Sequence, residues 1–407
     1  MQPNRSKIFL IILLVLLVSC KVDESGEQTV LKSYRTLSPV SVTIDLINQI
    51  MNNLNVPEFN DTQFRSLIIY PVRVYEITYR TNYKGEEIIA SGAVTIPETG
   101  EALPVLSYHH GTIFKDSRAP SNYGGGLTME PETALNMVIG STGFICSAPD
   151  LIGYGSSTDK LHPYHISAPT AAASIDMLRA VKELCEKLNT GISGEYFITG
   201  YSEGGYAGMA VQKEIEQNHS AEFTLIASSL GAGAYHLSET VKRMAAGNIL
   251  VSPAYIAFLI TAYNDHYGWG RNLSGIFREP YLGHISGGVL HGDFSQSQIN
   301  NLLTSFTASL FTARFITDFR GQGEDQYKTA LIENNLYNAW VPVTPTRLYH
   351  GTSDNVVPSF NSQDALTAFQ QAGSSAVGYY PLKKKDHETA IIPFIKATIL
   401  WFNSMKD

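Results

Sequence analysis

The chain has 407 residues, 44% of them hydrophobic and 16% charged, with a formal net charge of −8. That apolar content can fill a large core and excludes a disordered chain, which combines low hydrophobicity with high charge. No basic run is longer than Lys383-Lys384-Lys385, which excludes the concentrated positive surface that a nucleic-acid partner requires.

The N-terminus reads as a targeting segment. Arg5 and Lys7 precede an unbroken apolar run, residues 8–18. Eleven residues are too few to span a bilayer as a helix, which takes about 20. The run ends in Leu17-Val18-Ser19-Cys20, which resembles the lipobox of bacterial lipoproteins. The resemblance implies removal of residues 1–19 as a signal peptide and lipidation of Cys20. The polar stretch Lys21-Val22-Asp23-Glu24 is similar to surface-export signals of some Gram-negative lipoproteins. The expected location is the bacterial cell envelope, with a lipid anchor in the outer membrane and no spanning helix. Residues 20–40 are then expected to be a polar tether.

Apolar residues recur helically over 43–54, at Ile44, Ile47, Ile50, Met51 and Leu54. Residues 69–82 and 87–96 are rich in Tyr, Val and Ile and flank Asn82-Tyr83-Lys84-Gly85, so they are expected to form an antiparallel hairpin. After Pro104, short apolar strands alternate with helical patterns. The expected strands are Val105–His109, 143–149, Glu195–Thr199, Phe223–Ser228, Thr346–His350 and Val377–Leu382. Helices are expected over 167–188, from Ser202 through Ile215, and over 388–404. Such alternation predicts a mostly parallel sheet covered on both faces. Residues 237–344 break it, with several helical patterns and no clear strand. There Tyr255, Leu259, Tyr263 and Tyr267 stripe one helix face. Such a stretch either packs its own core or caps an active site and lines an apolar pocket, and it can do both. The expected division is therefore a core over 41–236 and 345–407, interrupted by a helical cap over 237–344.

Cys146 and Cys185 are expected to be separate buried thiols, because two cysteines make no disulfide framework even in an oxidising compartment.

Gly200-Tyr201-Ser202-Glu203-Gly204 is a G-x-S-x-G pentapeptide. Chance alone supplies such a match in a chain of this length with a probability on the order of 0.1. Its setting makes it specific. It follows the strand ending at Thr199 and opens a helix, as a nucleophile elbow must. A serine hydroxyl needs a base, and the base an orienting acid, in the chain order Ser, Asp or Glu, His. Downstream, Asp354 follows the strand Thr346–His350, and His387 follows the strand Val377–Leu382. All three residues thus fall at the carboxyl edge of the sheet. His387 is the only histidine beyond Asp354; His109, His110, His162 and His165 precede the serine. Asp386 is a competing acid, but adjacent residues rarely face each other.

The expected oxyanion hole takes one N–H from Glu203 and the other from the loop His109-His110-Gly111-Thr112. Thr112 is the expected donor there, with Gly111 allowing close approach. Pro149-Asp150-Leu151-Ile152-Gly153-Tyr154-Gly155 is expected to be a structural loop, since it lacks the dinucleotide fingerprint. No metal or phosphate motif is present, and no cofactor or metal is expected.

GYSEGG, HHGT, PDLIGYG and HGTSDNVVP together resemble the α/β-hydrolase superfamily, and within it the secretory lipase family of the fungal lipase A type. The resemblance implies an α/β-hydrolase sheet of about eight strands, a helical cap before the acid-bearing strand, and an esterase or lipase acting without cofactor. Its partner would be an ester of an apolar acyl group or of an acylated carbohydrate. Two alternatives stand beside it: a serine peptidase with the same triad, and an inactive lipid-anchored binding protein.

Overall fold

The computed structural model describes residues 29–38, 41–53, 57–122 and 131–406. The predicted signal peptide and Cys20 lie outside the described residues.

The expected hairpin forms from β2 (Val72–Tyr83) and β3 (Glu86–Pro97), paired antiparallel along their full length. Lys84 and Gly85 turn the chain with φ of 54° and 82°, the two positive values a tight two-residue hairpin needs. Next come β4 (Leu103–His109), β5 (Ile145–Pro149), β6 (Ile192–Tyr201), β7 (Thr224–Gly231), β8 (Thr346–Gly351) and β9 (Val377–Leu382). These six pair in parallel, and β3 joins them antiparallel through β5. The sheet has nine strands in the order β1-β2-β3-β5-β4-β6-β7-β8-β9.

The ninth strand corrects the tether reading. Residues Leu31–Thr36 form β1, antiparallel to β2 at the sheet edge. Only Leu31 of β1 is buried, so the strand carries no apolar alternation to read. Main-chain pairing holds it instead, and the Glu183 carboxylate accepts the N–H groups of Val30 and Leu31 at 2.8 and 2.9 Å.

Alternate strand residues feed two core layers, because successive side chains point to opposite faces. Val105, Ile145 and Ile198 pack with the helix Ser167–Leu188 on one face. Leu106, Cys146 and Phe197 pack with the helices Ile44–Asn53, Pro131–Ser141 and Ile391–Asn403 on the other. Cys146 and Cys185 therefore sit in different layers, both buried and unpaired. Burial pushes the Cys185 thiol up to about 12.

Between β7 and β8 the chain makes helices and no strand of the sheet. They gather around their own apolar cluster, including Phe258, Phe277, Phe311, Phe315 and Tyr327. Phe114 and Tyr164, from loops beyond β4 and β5, join it. The aromatic stripe divides. On the helix Pro253–His266, Tyr263 is fully buried, while Tyr255 and Leu259 face cavities beside Ser202. The stripe thus serves the helices' own apolar cluster at Tyr263 and lines a cavity shared with Ser202 at Tyr255 and Leu259. Tyr267 caps the helix end.

Candidate active site

The site is built where β6 ends. Ser202 sits between β6 and the helix Glu203–Glu214 with φ 60° and ψ −121°. A non-glycine residue there is strained, and such strain persists only where surroundings enforce it. They do so here by close packing. A Cβ at Gly204 would run into the His109 carbonyl, and one at Gly200 into the Gly204 carbonyl. The elbow can make this turn only with glycine on both sides of the serine.

The three predicted residues come together. His387 Nε2 lies 2.9 Å from Ser202 Oγ, and His387 Nδ1 lies 2.7 Å from Asp354 Oδ2. The other Asp354 oxygen accepts the N–H groups of Val356 and Val357, each at 2.9 Å. Tyr201 Oη donates to the His387 carbonyl at 2.7 Å, which ties the histidine loop to β6. Both Asp354 and His387 are buried.

Burial pushes the Asp354 carboxyl up, but hydrogen bonds from His350 and His387 outweigh it. The result is a pKa of about 2. The carboxylate is thus charged at neutral pH and can orient and stabilise a protonated imidazole.

Asp386, the competing acid, is turned elsewhere. Its Oδ1 accepts the Thr389 N–H at 2.8 Å and the Thr389 hydroxyl at 2.6 Å. Three of the four upstream histidines are held by hydrogen bonds, and all four are buried. His109 Nε2 pairs with Ser107 Oγ at 3.0 Å, and burial lowers its pKa to about 3. His110 Nε2 bonds the Asp150 carbonyl at 3.0 Å. His165 is also lowered by burial, to about 4.

His162 belongs to a pair that sequence reasoning missed. Its Nε2 meets Glu203 Oε1 at 2.6 Å, and its Nδ1 meets the Ile152 carbonyl at 2.7 Å. Both side chains are buried. Burial raises the Glu203 carboxyl, but His162 outweighs it and holds the pKa below the usual value. The Glu203 side chain is thus held by His162, and its backbone N–H lies at the helix start.

Among the described residues neither Glu203 N–H nor Thr112 N–H has an acceptor. Thr112 and Gly111 line the same cavity as Ser202 and His387. Gly111, expected to allow close approach, has room for a side-chain carbon. A Cβ there would reach 3.4 Å from the Tyr201 carbonyl and 3.8 Å from Ser202 Cβ, ordinary contact distances.

Asp150 behaves as a structural residue, as expected. Its carboxylate is fully buried and accepts Ser121 N–H at 2.7 Å and the Ser91 hydroxyl at 2.5 Å. A second missed residue is His350. It is fully buried, its Nε2 lies 3.5 Å from Asp354 Oδ2, and its Nε2 bonds the Val357 carbonyl at 2.7 Å.

The family model described as secretory lipase matches residues 125–405. The chain belongs to the secretory lipase family. It is accordingly a carboxylic ester hydrolase with the α/β-hydrolase fold. Among solved structures, this secretory lipase is similar to the rice cell wall degrading esterase LipA from Xanthomonas oryzae. The two are 27% identical over 93% of this chain and 99% of that one, with a TM-score of 0.78. A Legionella pneumophila protein shares the fold at 23% identity, covering 92% of this chain and 98% of that one, with a TM-score of 0.82. Candida antarctica lipase A in its closed state shares the fold at 16% identity, covering 92% of this chain and 81% of that one, with a TM-score of 0.68. No curated protein sequence matches the chain.

Proposed function

We propose that this secretory lipase hydrolyses carboxylic esters through an acyl-enzyme on Ser202, with His387 as general base and acid and Asp354 as its orienting acid. The observation that carries the reading is the bridging imidazole, 2.9 Å from the Ser202 hydroxyl and 2.7 Å from the Asp354 carboxylate.

His387 Nε2 takes the Ser202 proton as Oγ bonds to the ester carbonyl carbon. The carbonyl π pair moves onto oxygen, and the N–H groups of Glu203 and Thr112 receive that charge. Losing one such donor costs about 3–4 kcal/mol of transition-state stabilisation. The tetrahedral species then collapses. The C–O bond to the alcohol breaks, and His387 returns the proton to the leaving oxygen. Water repeats the sequence on the acyl-enzyme and releases the acid. Nothing in these steps calls on a cofactor or metal. The helices of 237–344 act as a cap, because Tyr255, Leu259 and Val241 from them line a cavity that reaches Ser202.

The test is Ser202→Ala. It should remain folded, lose p-nitrophenyl ester hydrolysis and lose labelling by a fluorophosphonate. Retained turnover would refute the assignment. Release of naphthylamide from peptides without ester turnover would move the reading to a serine peptidase. An unlabelled wild type would move it to an inactive binding protein.

Anchoring is the second part of the proposal. The Leu17-Val18-Ser19-Cys20 motif supports a lipid on Cys20 in the bacterial cell envelope. No helix among the described residues is long and apolar enough to cross a membrane. Palmitate incorporation that vanishes in Cys20→Ala is the expected outcome, and an unlabelled wild type sinks it.

A further inference from the structure

Two cavities meet at Ser202 and differ in size. The smaller, about 50 Å³, is lined by cap residues including Leu237, Val241, Ile256 and Leu259. The larger, about 500 Å³, is also mainly apolar, with Leu135, Ile391 and Phe394 in its wall beside Gly111, Thr112 and His387. Only the larger has His387 in its wall. Because His387 must hand its proton to the leaving oxygen, the alcohol half of the substrate belongs in the larger cavity. The acyl half then points into the smaller one, which lacks His387.

That acyl cavity has a back wall. Behind it lies a further apolar void of about 20 Å³, lined by Leu250, Ile260, Phe311 and Phe315. Val241 and Ile256 line both spaces and so stand between them. Val241 comes from the helix Leu237–Ala246 and Ile256 from the helix Pro253–His266. Both are buried, so neither swings freely out of the way. An apolar cavity of roughly 150 Å³ holds a six-carbon benzene. A third of that volume holds about two or three carbons beyond the carbonyl.

We propose that Val241 and Ile256 close the acyl pocket and restrict this enzyme to short-acyl esters, acetyl to butyryl, of larger alcohols. The inference rests on the Ser202 reading above. Each methylene beyond the wall must displace packed side chains, and a methylene misfit in an apolar pocket is worth about tenfold or more in kcat/KM.

The experiment measures kcat/KM of the full chain on p-nitrophenyl acetate, butyrate, octanoate and decanoate. The wild type should fall by at least about tenfold between butyrate and octanoate. Val241→Ala and Ile256→Ala join the two voids and should raise the octanoate-to-butyrate ratio about tenfold. Val241→Leu adds one methylene to the wall and should lower butyrate against acetate. It decides the matter even if the alanine variants do not fold. Equal turnover of octanoate and butyrate by the wild type overturns the inference, as does an unmoved ratio in folded variants. A flat chain-length profile with turnover still lost in Ser202→Ala condemns only the pocket. No ester turnover and no fluorophosphonate labelling condemns the Ser202 reading, and the pocket with it.

Discussion

Asp354 Oδ2 faces two imidazoles, His387 Nδ1 at 2.7 Å and His350 Nε2 at 3.5 Å. His350 lies four residues before Asp354 and is pinned by Ser362 Oγ on Nδ1 at 2.8 Å and the Val357 carbonyl on Nε2 at 2.7 Å. The carbonyl requires that Nε2 carry a proton, so a donor is held beside the carboxylate. His350 is a candidate positioning residue, since it lies against Asp354 and makes no contact with the Ser202 hydroxyl.

Replacing His350 with Phe keeps the volume and removes that donor. Because the Nε2–H goes to the Val357 carbonyl, its pull on Asp354 at 3.5 Å is a weaker, electrostatic one, and kcat should fall by about threefold with KM little changed. His350→Gln should recover part of the loss. Steady-state kinetics across pH check this. An unchanged kcat in folded His350→Phe would remove the role.

Asp354→Asn tests the acid itself. The amide can present a hydrogen to Nδ1 and leave the imidazole in the wrong tautomer. In a serine triad that change lowers kcat by about 10⁴-fold with the geometry preserved. Ester kinetics on a variant with wild-type circular dichroism check it. A loss below about tenfold would point to another acid.

The lowered Asp354 carboxyl also links pH to folding. Its folded pKa is about 2 against an ordinary 3.8. A depressed carboxyl contributes stability in full above its unfolded value and loses it as pH falls through the folded one. The window is therefore from about pH 4 down to about pH 2, and the contribution is about 2 kcal/mol. Thermal melts at pH 7 and pH 3 should show a smaller acid-induced drop in Tm for Asp354→Asn than for the wild type. Equal drops would contradict it.

Two glycines near the serine should respond oppositely. Gly111→Ala places its Cβ at ordinary contact distance, so fold and Tm should hold. Gly204→Ala drives its Cβ into the His109 carbonyl and should destabilise by about 1–3 kcal/mol or more, as overpacking does. Thr112→Pro removes one N–H and should lower kcat by about 10²–10³-fold. Melting curves and kinetics on the three variants separate these effects.

The three candidate residues were legible because each follows an apolar strand, and strand periodicity survives in a single sequence. Ser202, Asp354 and His387 each fall just past such a strand. β1 was not legible, since an edge strand with one buried residue has no pattern to show. The helix Pro131–Ser141 between β4 and β5 was also passed over. His350 and the Glu203–His162 pair stayed hidden for another reason. Their partners are set by tertiary contact, and His162 and Glu203 are 41 residues apart in the chain. An acidic residue directly after a nucleophile, in a glycine-rich buried turn, is the signal that could have prompted a search for its counter-charge.

The edge placement of β1 has a mechanical side. Any pull arriving through residue 29 along the strand axis meets a ladder whose bonds run perpendicular to it. Those bonds share the load in shear and do not open one at a time. Glu183 adds a clamp at the point of entry. Four strands, β2, β3, β5 and β4, separate β1 from β6 in the sheet. Tension on the N-terminus is thus absorbed at one edge of the sheet, and the strained turn at Ser202 is shielded from it.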